Sequence, residues 1–235
     1  MCTVSFLATK DGIVLTSNRD EQVLRAAIVP SKYQINNQDI FYPKDPAAGG
    51  TWYAVNKNGN VIVLLNGAAE KHHRKPPYSK SRGLVVLDII SNQNPISLWD
   101  DMDLSGIEPF TLVLFQNQKL HQLQWNETIK SAIVLDISKP HIWSSSTLYD
   151  TEHRKMRAQW FFDYLKTKND FNAKDLMHFH ENTHVENTKN GLIINRNEKL
   201  KTLSITQSVI RSNTINMIYN DLLNKKITEL TIEIQ

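Results

Sequence analysis

Along the chain the spacing of apolar side chains switches between the two-residue repeat of a strand and the longer repeat of a helix. The blocks run strands, two helices, strands, two helices, strands. Antiparallel hairpins with helices grouped between them predict an α+β fold in which sheets pack on one another and helices cover the outer faces. No repeat, low-complexity segment or linker interrupts the pattern, so residues 1–235 are expected to form a single domain.

Two hairpins are the clearest local signals. Thr3 to Thr9 and Ile13 to Ser17 flank Asp11-Gly12, a pair suited to tight turns. A two-residue turn there sets Cys2 across from Glu21, and a three-residue turn sets it across from Asp20. Thr51 to Val55 and Val61 to Leu65 flank Asn58-Gly59, which predicts pairing of Val55 with Ile62, Tyr53 with Leu64 and Thr51 with Asn66. Asn66 would then end a buried strand, where its amide needs a partner or a ligand. Gln22 to Asp45, broken by Pro30 and Pro43, reads as a loop with a short strand near Tyr33 to Ile35.

Further on, Ser81 is positioned to cap a helix from Arg82 to about Ser91, and a short helix follows over Ile96 to Met102. Strands are expected at Phe110 to Phe115, Leu120 to Trp125, Ser131 to Leu135 and His141 to Ser144. Thr151 to Thr167 reads as a long helix with Met156, Trp160, Phe161 and Tyr164 on its core face. Asn172 caps a helix over Ala173 to Glu181. Gly191 to Asn197 is a loop or short strand. Strands at Leu203 to Val209, Thr214 to Tyr219 and Ile227 to Ile234 close the chain.

Composition narrows the function classes. The net charge of +3, from 27 basic and 24 acidic residues, is too small an excess to argue for nucleic acid or an anionic membrane. No apolar run approaches the roughly 20 residues that span a bilayer, and no secretory signal opens the chain. A single cysteine cannot form an internal disulfide, so a cytoplasmic protein without integral membrane association is expected.

That cysteine is Cys2, directly after the initiator Met1. Methionine aminopeptidase usually permits a small residue at this place, and removal of Met1 would leave thiol and α-amine on one residue. A thiol near pKa 8.5 and an α-amine near 7.7–8.0 are matched closely enough for the amine to act as base. Arg19 would favour the thiolate, Asp20 would hold the arginine or orient the amine, and Asn66 would donate N–H groups to a developing oxyanion. A small buried cysteine beside a solvated turn is the plainer reading of the same residues.

Met1-Cys2, the tetrad Asn18-Arg19-Asp20-Glu21 and Gly49-Gly50-Thr51-Trp52 followed by an Asn-ending strand resemble the NRDE family, also called the transport and Golgi organisation protein 2 family. Trp143-Ser144-Ser145-Ser146-Thr147-Leu148 resembles its Leu-Ser-Asn-x-x-Leu stretch, and Arg211-Ser212-Asn213-Thr214-Ile215 its late Arg-x-x-Thr strand. That family is similar in turn to the N-terminal nucleophile hydrolases of the bile salt hydrolase and penicillin V acylase branch. The resemblance implies a four-layer αββα sandwich and cleavage of a linear, non-peptide amide. Carried over by position, Cys2 is the nucleophile, Arg19 and Asp20 flank it, Asn66 is an oxyanion donor and Arg211 is a late arginine near the thiol. Asn18, Thr51, Trp52 and Ser146 would meet a small-molecule substrate. Ser146 stands where the family usually has asparagine, and its shorter side chain offers a single donor. Members of the family have also been linked to haem handling and lipid metabolism, so a carrier of haem or a lipid-type ligand is the alternative.

No bound cofactor or metal is expected. His178, His180 and His184 include a four-residue spacing that suits metal ligands, but without an accompanying carboxylate motif they read as surface histidines. Lys71-His72-His73-Arg74-Lys75 reads as a solvated basic loop that would attract an anion if it borders the site.

Overall fold

The structure is a computed structural model, and it describes residues 3–235. The Cys2 pairing expected above therefore lies outside the described residues. The elements in chain order are β1 (Thr3–Thr9), β2 (Gly12–Gln22), β3 (Ile28–Ile35), β4 (Gln38–Lys44), β5 (Tyr53–Asn56) and β6 (Val61–Asn66). Helices α1 (Arg82–Ile90) and α2 (Pro95–Asp101) follow, then β7 (Phe110–Gln116), β8 (Lys119–Trp125), β9 (Lys130–Leu135) and β10 (His141–Ser144). The chain closes with α3 (Thr151–Leu165), α4 (Ala173–Asn182), β11 (Asn195–Arg196), β12 (Leu200–Ile210), β13 (Thr214–Asp221) and β14 (Lys226–Glu233).

All pairings are antiparallel. One sheet runs β10-β1-β2-β12-β13-β14, with β11 beside β12, and the other is the meander β3 to β9 in sequence order. The sheets share one apolar core, in which Val4, Phe6, Leu15 and Met217 of the first meet Val55, Val63 and Phe115 of the second. The Phe6 and Phe115 rings lie 6.2 Å apart, and the Tyr53 hydroxyl donates to the Leu15 carbonyl at 3.1 Å. Helix α1 packs on β5 and β6, while α4 packs on β2 and β12 and α3 on β10. This is an α+β sandwich of two antiparallel sheets. Among the described residues no helix is long and apolar enough to cross a membrane.

Both expected hairpin registers are corrected. In the first, the loop is Lys10-Asp11 and Thr9 pairs with Gly12, so Thr3 lies opposite Asn18. Gly12 is held by a close approach, since a Cβ on it would sit 2.2 Å from the Ile210 carbonyl oxygen. Asp11 serves α4 instead, accepting the Ala173 N–H at 3.2 Å. In the second hairpin, Tyr53 pairs with Val63 and Val55 with Val61. Asn56 closes a three-residue loop, its side-chain oxygen accepting the N–H of Asn58 at 3.0 Å and of Asn60 at 3.1 Å. Gly59 alone in that loop takes positive φ, so the two-residue Asn-Gly turn does not form. The slip of one residue reverses which side chains face the first sheet.

Gln22 to Asp45 holds two strands rather than one. Asn36-Asn37 both adopt positive φ and make the tight turn between β3 and β4. Pro30 falls at a register shift in β3, an edge strand, where its missing N–H is tolerated. Along α3 Phe161 is buried as expected, but Met156, Trp160 and Tyr164 are half-buried, and the other fully buried residue is Arg157.

The histidine reading changes as well. His180 is fully buried on α4, while His184 lies past the helix end with its ring tilted against Trp160, the centroids 4.1 Å apart. Asn18 donates its amide to the carbonyls of His180 (3.2 Å) and Leu192 (2.8 Å), which leaves its oxygen facing Nδ1 of His180. Nδ1–H therefore donates to Asn18, and Nε2 accepts the Ser5 hydroxyl at 2.7 Å. Burial, with Arg157 nearby, lowers the imidazole to about 3.

Below the ordinary histidine pKa of 6.5 the unfolded chain takes up a proton that the folded chain refuses. Stability should therefore rise with pH between about 3 and 6.5, with this residue contributing at most about 1.4 kcal/mol per pH unit. Denaturant midpoints measured across that range should show the slope, and His180→Gln should flatten it.

Candidate functional site

The pleat of β2 divides the tetrad between two faces, because successive side chains of a strand point opposite ways. Asn18 and Asp20 point to the helix side and Arg19 to the second sheet. Asn18 is spent on His180 and Leu192, so it is a structural tie and not the substrate contact expected of it.

Arg19 is 1% exposed. Its guanidinium carbon lies 4.3 Å from the Trp52 ring centroid, Nη1 donates to the Arg25 carbonyl at 2.7 Å, and Nη2 lies 3.8 Å from Asp45. Arg25 bonds both Asp45 and Glu21, the latter at 3.2 Å. The result is a chain of alternating charges over the open end of β2.

Asp20, also 1% exposed, accepts the Tyr149 hydroxyl and the Thr202 hydroxyl, each at 2.7 Å. Burial and the neighbouring Asp20 carboxylate hold the Tyr149 phenol well above its ordinary pKa, so Tyr149 stays a donor. Arg157 stacks on Tyr149, its guanidinium carbon 3.5 Å from the ring centroid, and bonds Thr3, Gly191 and the Asn190 carbonyl (3.2 Å). This buried arginine ties the first described residue of β1 to α3 and to the Asp20 network.

Asn66 ends β6 and its side-chain oxygen has no hydrogen-bond partner among the described residues. Its carbonyl accepts the Ser145 hydroxyl at 2.7 Å. Gly67 follows at φ +83°, and a Cβ there would lie 2.1 Å from the Ser146 hydroxyl, so the 145–149 loop and the end of β6 meet through that glycine. Ser146 itself donates to the Glu70 carbonyl at 3.2 Å. Thr51 holds a corner, its hydroxyl engaged with the carbonyls of Pro43 (2.7 Å) and Tyr53 (2.9 Å).

Two clefts flank Asn66. A small one of about 80 Å³ is lined by Asn66, Trp52, Arg25 and the start of α1. The second, about 180 Å³, is lined by Gly67, Thr111, Gln124, Trp143 and Ser144 to Ser146.

Arg19 thus meets Trp52 on one face of β2 and Asp20 meets Tyr149 and Thr202 on the other, Trp52 and Asn66 line one cleft, and Ser146 meets the end of β6 at Gly67; Arg211 joins none of them. It lies exposed past the end of β12, beside Gly12, at the opposite end of the hairpin from Arg19. Six strand residues separate the two ends, roughly 20 Å. Its guanidinium donates to Asn216 at 2.8 Å. The basic loop is likewise occupied, since His72 and Arg74 both lie 3.2 Å from the buried Glu108, which Arg82 bonds at 3.0 Å. Tyr149, Thr202, Arg157, Arg25 and Asp45 escaped sequence reasoning, because their roles depend on contacts far apart in the chain. Among the described residues no group of three acidic, histidine or cysteine side chains is placed to hold a metal ion.

Comparison with solved structures finds the same fold in two enzymes of known structure. A mutant conjugated bile acid hydrolase from Clostridium perfringens matches with a TM-score of 0.57 at 12% identity, covering 98% of this chain and 92% of that one. The N-acylethanolamine-hydrolyzing acid amidase (NAAA) ortholog of Caenorhabditis elegans matches with a TM-score of 0.61 at 13% identity, covering 88% and 92%. No curated protein sequence matches significantly. Residues 1–229 match the model of the Transport and Golgi organisation 2 family, and the chain belongs to that family.

Tyr149→Phe should leave a buried carboxylate short of one donor and cost about 1–3 kcal/mol, read from denaturant midpoints. An unchanged midpoint would mean that Tyr149 does not support Asp20.

Proposed function

We propose that the protein is an amidohydrolase that uses Cys2 as an amino-terminal nucleophile on a linear, non-peptide C–N bond. What carries the reading is that buried Arg19 and buried Asp20 stand on the two faces of β2 at the end that pairs with the start of β1, while the Asn66 side-chain oxygen at the end of β6 has no partner among the described residues. The two amidohydrolases of like fold support it. Within this reading α1 and α2 form one outer layer and α3 and α4 the other, which gives the four-layer αββα order, and the protein works in the cytoplasm.

With Met1 removed, the α-amine takes the thiol proton and the sulfur attacks the amide carbonyl. Arg19 stabilises the thiolate, Asp20 orients the amine, and Asn66 turns its N–H groups to the oxyanion. The proton returns to the leaving nitrogen as the C–N bond breaks; water then attacks the thioester carbonyl, the C–S bond breaks, and the carboxylic acid leaves as the thiol is restored. Arg211 has no part in these steps.

A carrier role is the second reading, and the observation that favours it is a groove of about 780 Å³ between α4 and β13–β14. Met177, His178, Val209 and Ile218 are among the residues that line it. A haem titration with no saturable spectral change would remove its haem version.

Against a panel of linear amides, Cys2→Ala should abolish turnover with the far-ultraviolet spectrum intact. Asn66→Ala should lower kcat by about 10²–10³, and Arg211→Ala should leave kcat/KM unchanged. Turnover that survives Cys2→Ala would sink the proposal.

A further inference from the structure

The cleft beside Trp52 holds more unspent donors than acceptors. Gly50 and Gly83 bring the start of α1 against the Gly49-Gly50-Thr51-Trp52 stretch: a Cβ on Gly50 would lie 2.3 Å from the Gly83 carbonyl carbon. At that contact the Thr51 N–H donates to the Gly83 carbonyl at 3.2 Å. Ser81 precedes the helix but makes no side-chain capping bond. The Ser81 carbonyl accepts from Leu84 and Val85, while the N–H groups of Arg82 and Gly83 have no acceptor among the described residues. Such free N–H groups carry the positive end of the helix dipole.

Trp52 supplies an independent observation. It lines the same cleft, is 1% exposed, and its indole N–H has no acceptor among the described residues. The Arg25 Nε–H, at the same cleft, lacks one too. Glu21 and Asp45 also line the space, and Arg25 engages both. Among the buried side-chain atoms of the residues lining the cleft, the acceptor without a partner is the Asn66 oxygen, on an amide that also carries two donors. A buried donor left unmade is costly, so donors gathered round one small space point to a ligand that accepts.

We infer that this cleft binds a small oxyanion group, a carboxylate or a phosphate, through the Trp52 indole N–H and the backbone N–H groups of Arg82 and Gly83. In calling that group part of the substrate the inference rests on the amidohydrolase reading, and the binding itself does not. A space of about 80 Å³ is enough to take such a group. The anion would be held beside Asn66, so the susceptible bond of the substrate lies a short reach from its acidic end. The Gly-Gly-Thr-Trp motif then has a physical reason: glycine admits the helix, and tryptophan adds a donor to its exposed end.

The test titrates the full chain with sodium acetate and with inorganic phosphate, against sodium chloride at matched ionic strength, in proton–nitrogen correlation spectra. Five tryptophans give five indole signals, and Trp52→Phe assigns the relevant one. The Trp52 indole and the Gly83 amide should move together and saturably, with the other four indoles still. Trp52→Phe should raise the dissociation constant read at Gly83 by about tenfold, the worth of a hydrogen bond to a charged group. Tighter acetate binding assigns a carboxylate, and tighter phosphate binding a phosphate. No movement, equal movement with chloride, or unaltered affinity in Trp52→Phe overturns the inference. Saturable binding in a protein that cleaves no amide would remove the hydrolase reading and keep the anion site. An active amidase without these shifts would do the reverse.

Discussion

A buried cation is hard to keep between two apolar sheets, and Arg19 is kept there. Removing a guanidinium from water is costly unless its N–H groups are bonded and its charge is compensated. Trp52 covers its face, the Arg25 carbonyl accepts from one arm and Asp45 stands near the other. The loops that supply these partners have little freedom to be elsewhere, so the architecture around β2 follows from where Arg19 points. On the other face of the strand Asp20 makes the same demand, and Tyr149 and Thr202 meet it. One strand thereby presents opposite charges on opposite faces, each held by its own network.

Those networks connect the site to distant parts of the chain. Arg157 reaches from α3 to Thr3, while Tyr149 and Asp20 link the loop before α3 to β2. Asn18 and His180 secure α4 to the same strand. Positions that resemble catalytic groups thus serve two purposes, since some hold the strand and others face the cleft. The pleat decides which.

Much of the fold was legible because apolar periodicity is local. The strand and helix blocks, the Asn172 cap and the Asn66 strand end all follow from residues within a turn or two of each other. Registers were less legible, because Gly12 is required by Ile210 far along the chain and Asn56 rather than Asn58-Gly59 sets the second turn. Arg211 illustrates the limit of reading by position: a motif match set it near the thiol, and the pairing of β12 with β2 carries it to the far end. His180 was misjudged, and Arg157 passed over, for a related reason. Polar residues on a helix read as solvated unless the partners that bury them are known.

The proposed chemistry needs a free amino-terminal cysteine, and the intact mass of the protein purified from its native cells tests that directly. A mass lower by one methionine residue, with no other change at the terminus, is the predicted result. A mass that retains Met1 would contradict it, because no α-amine would then stand on Cys2 to take the thiol proton.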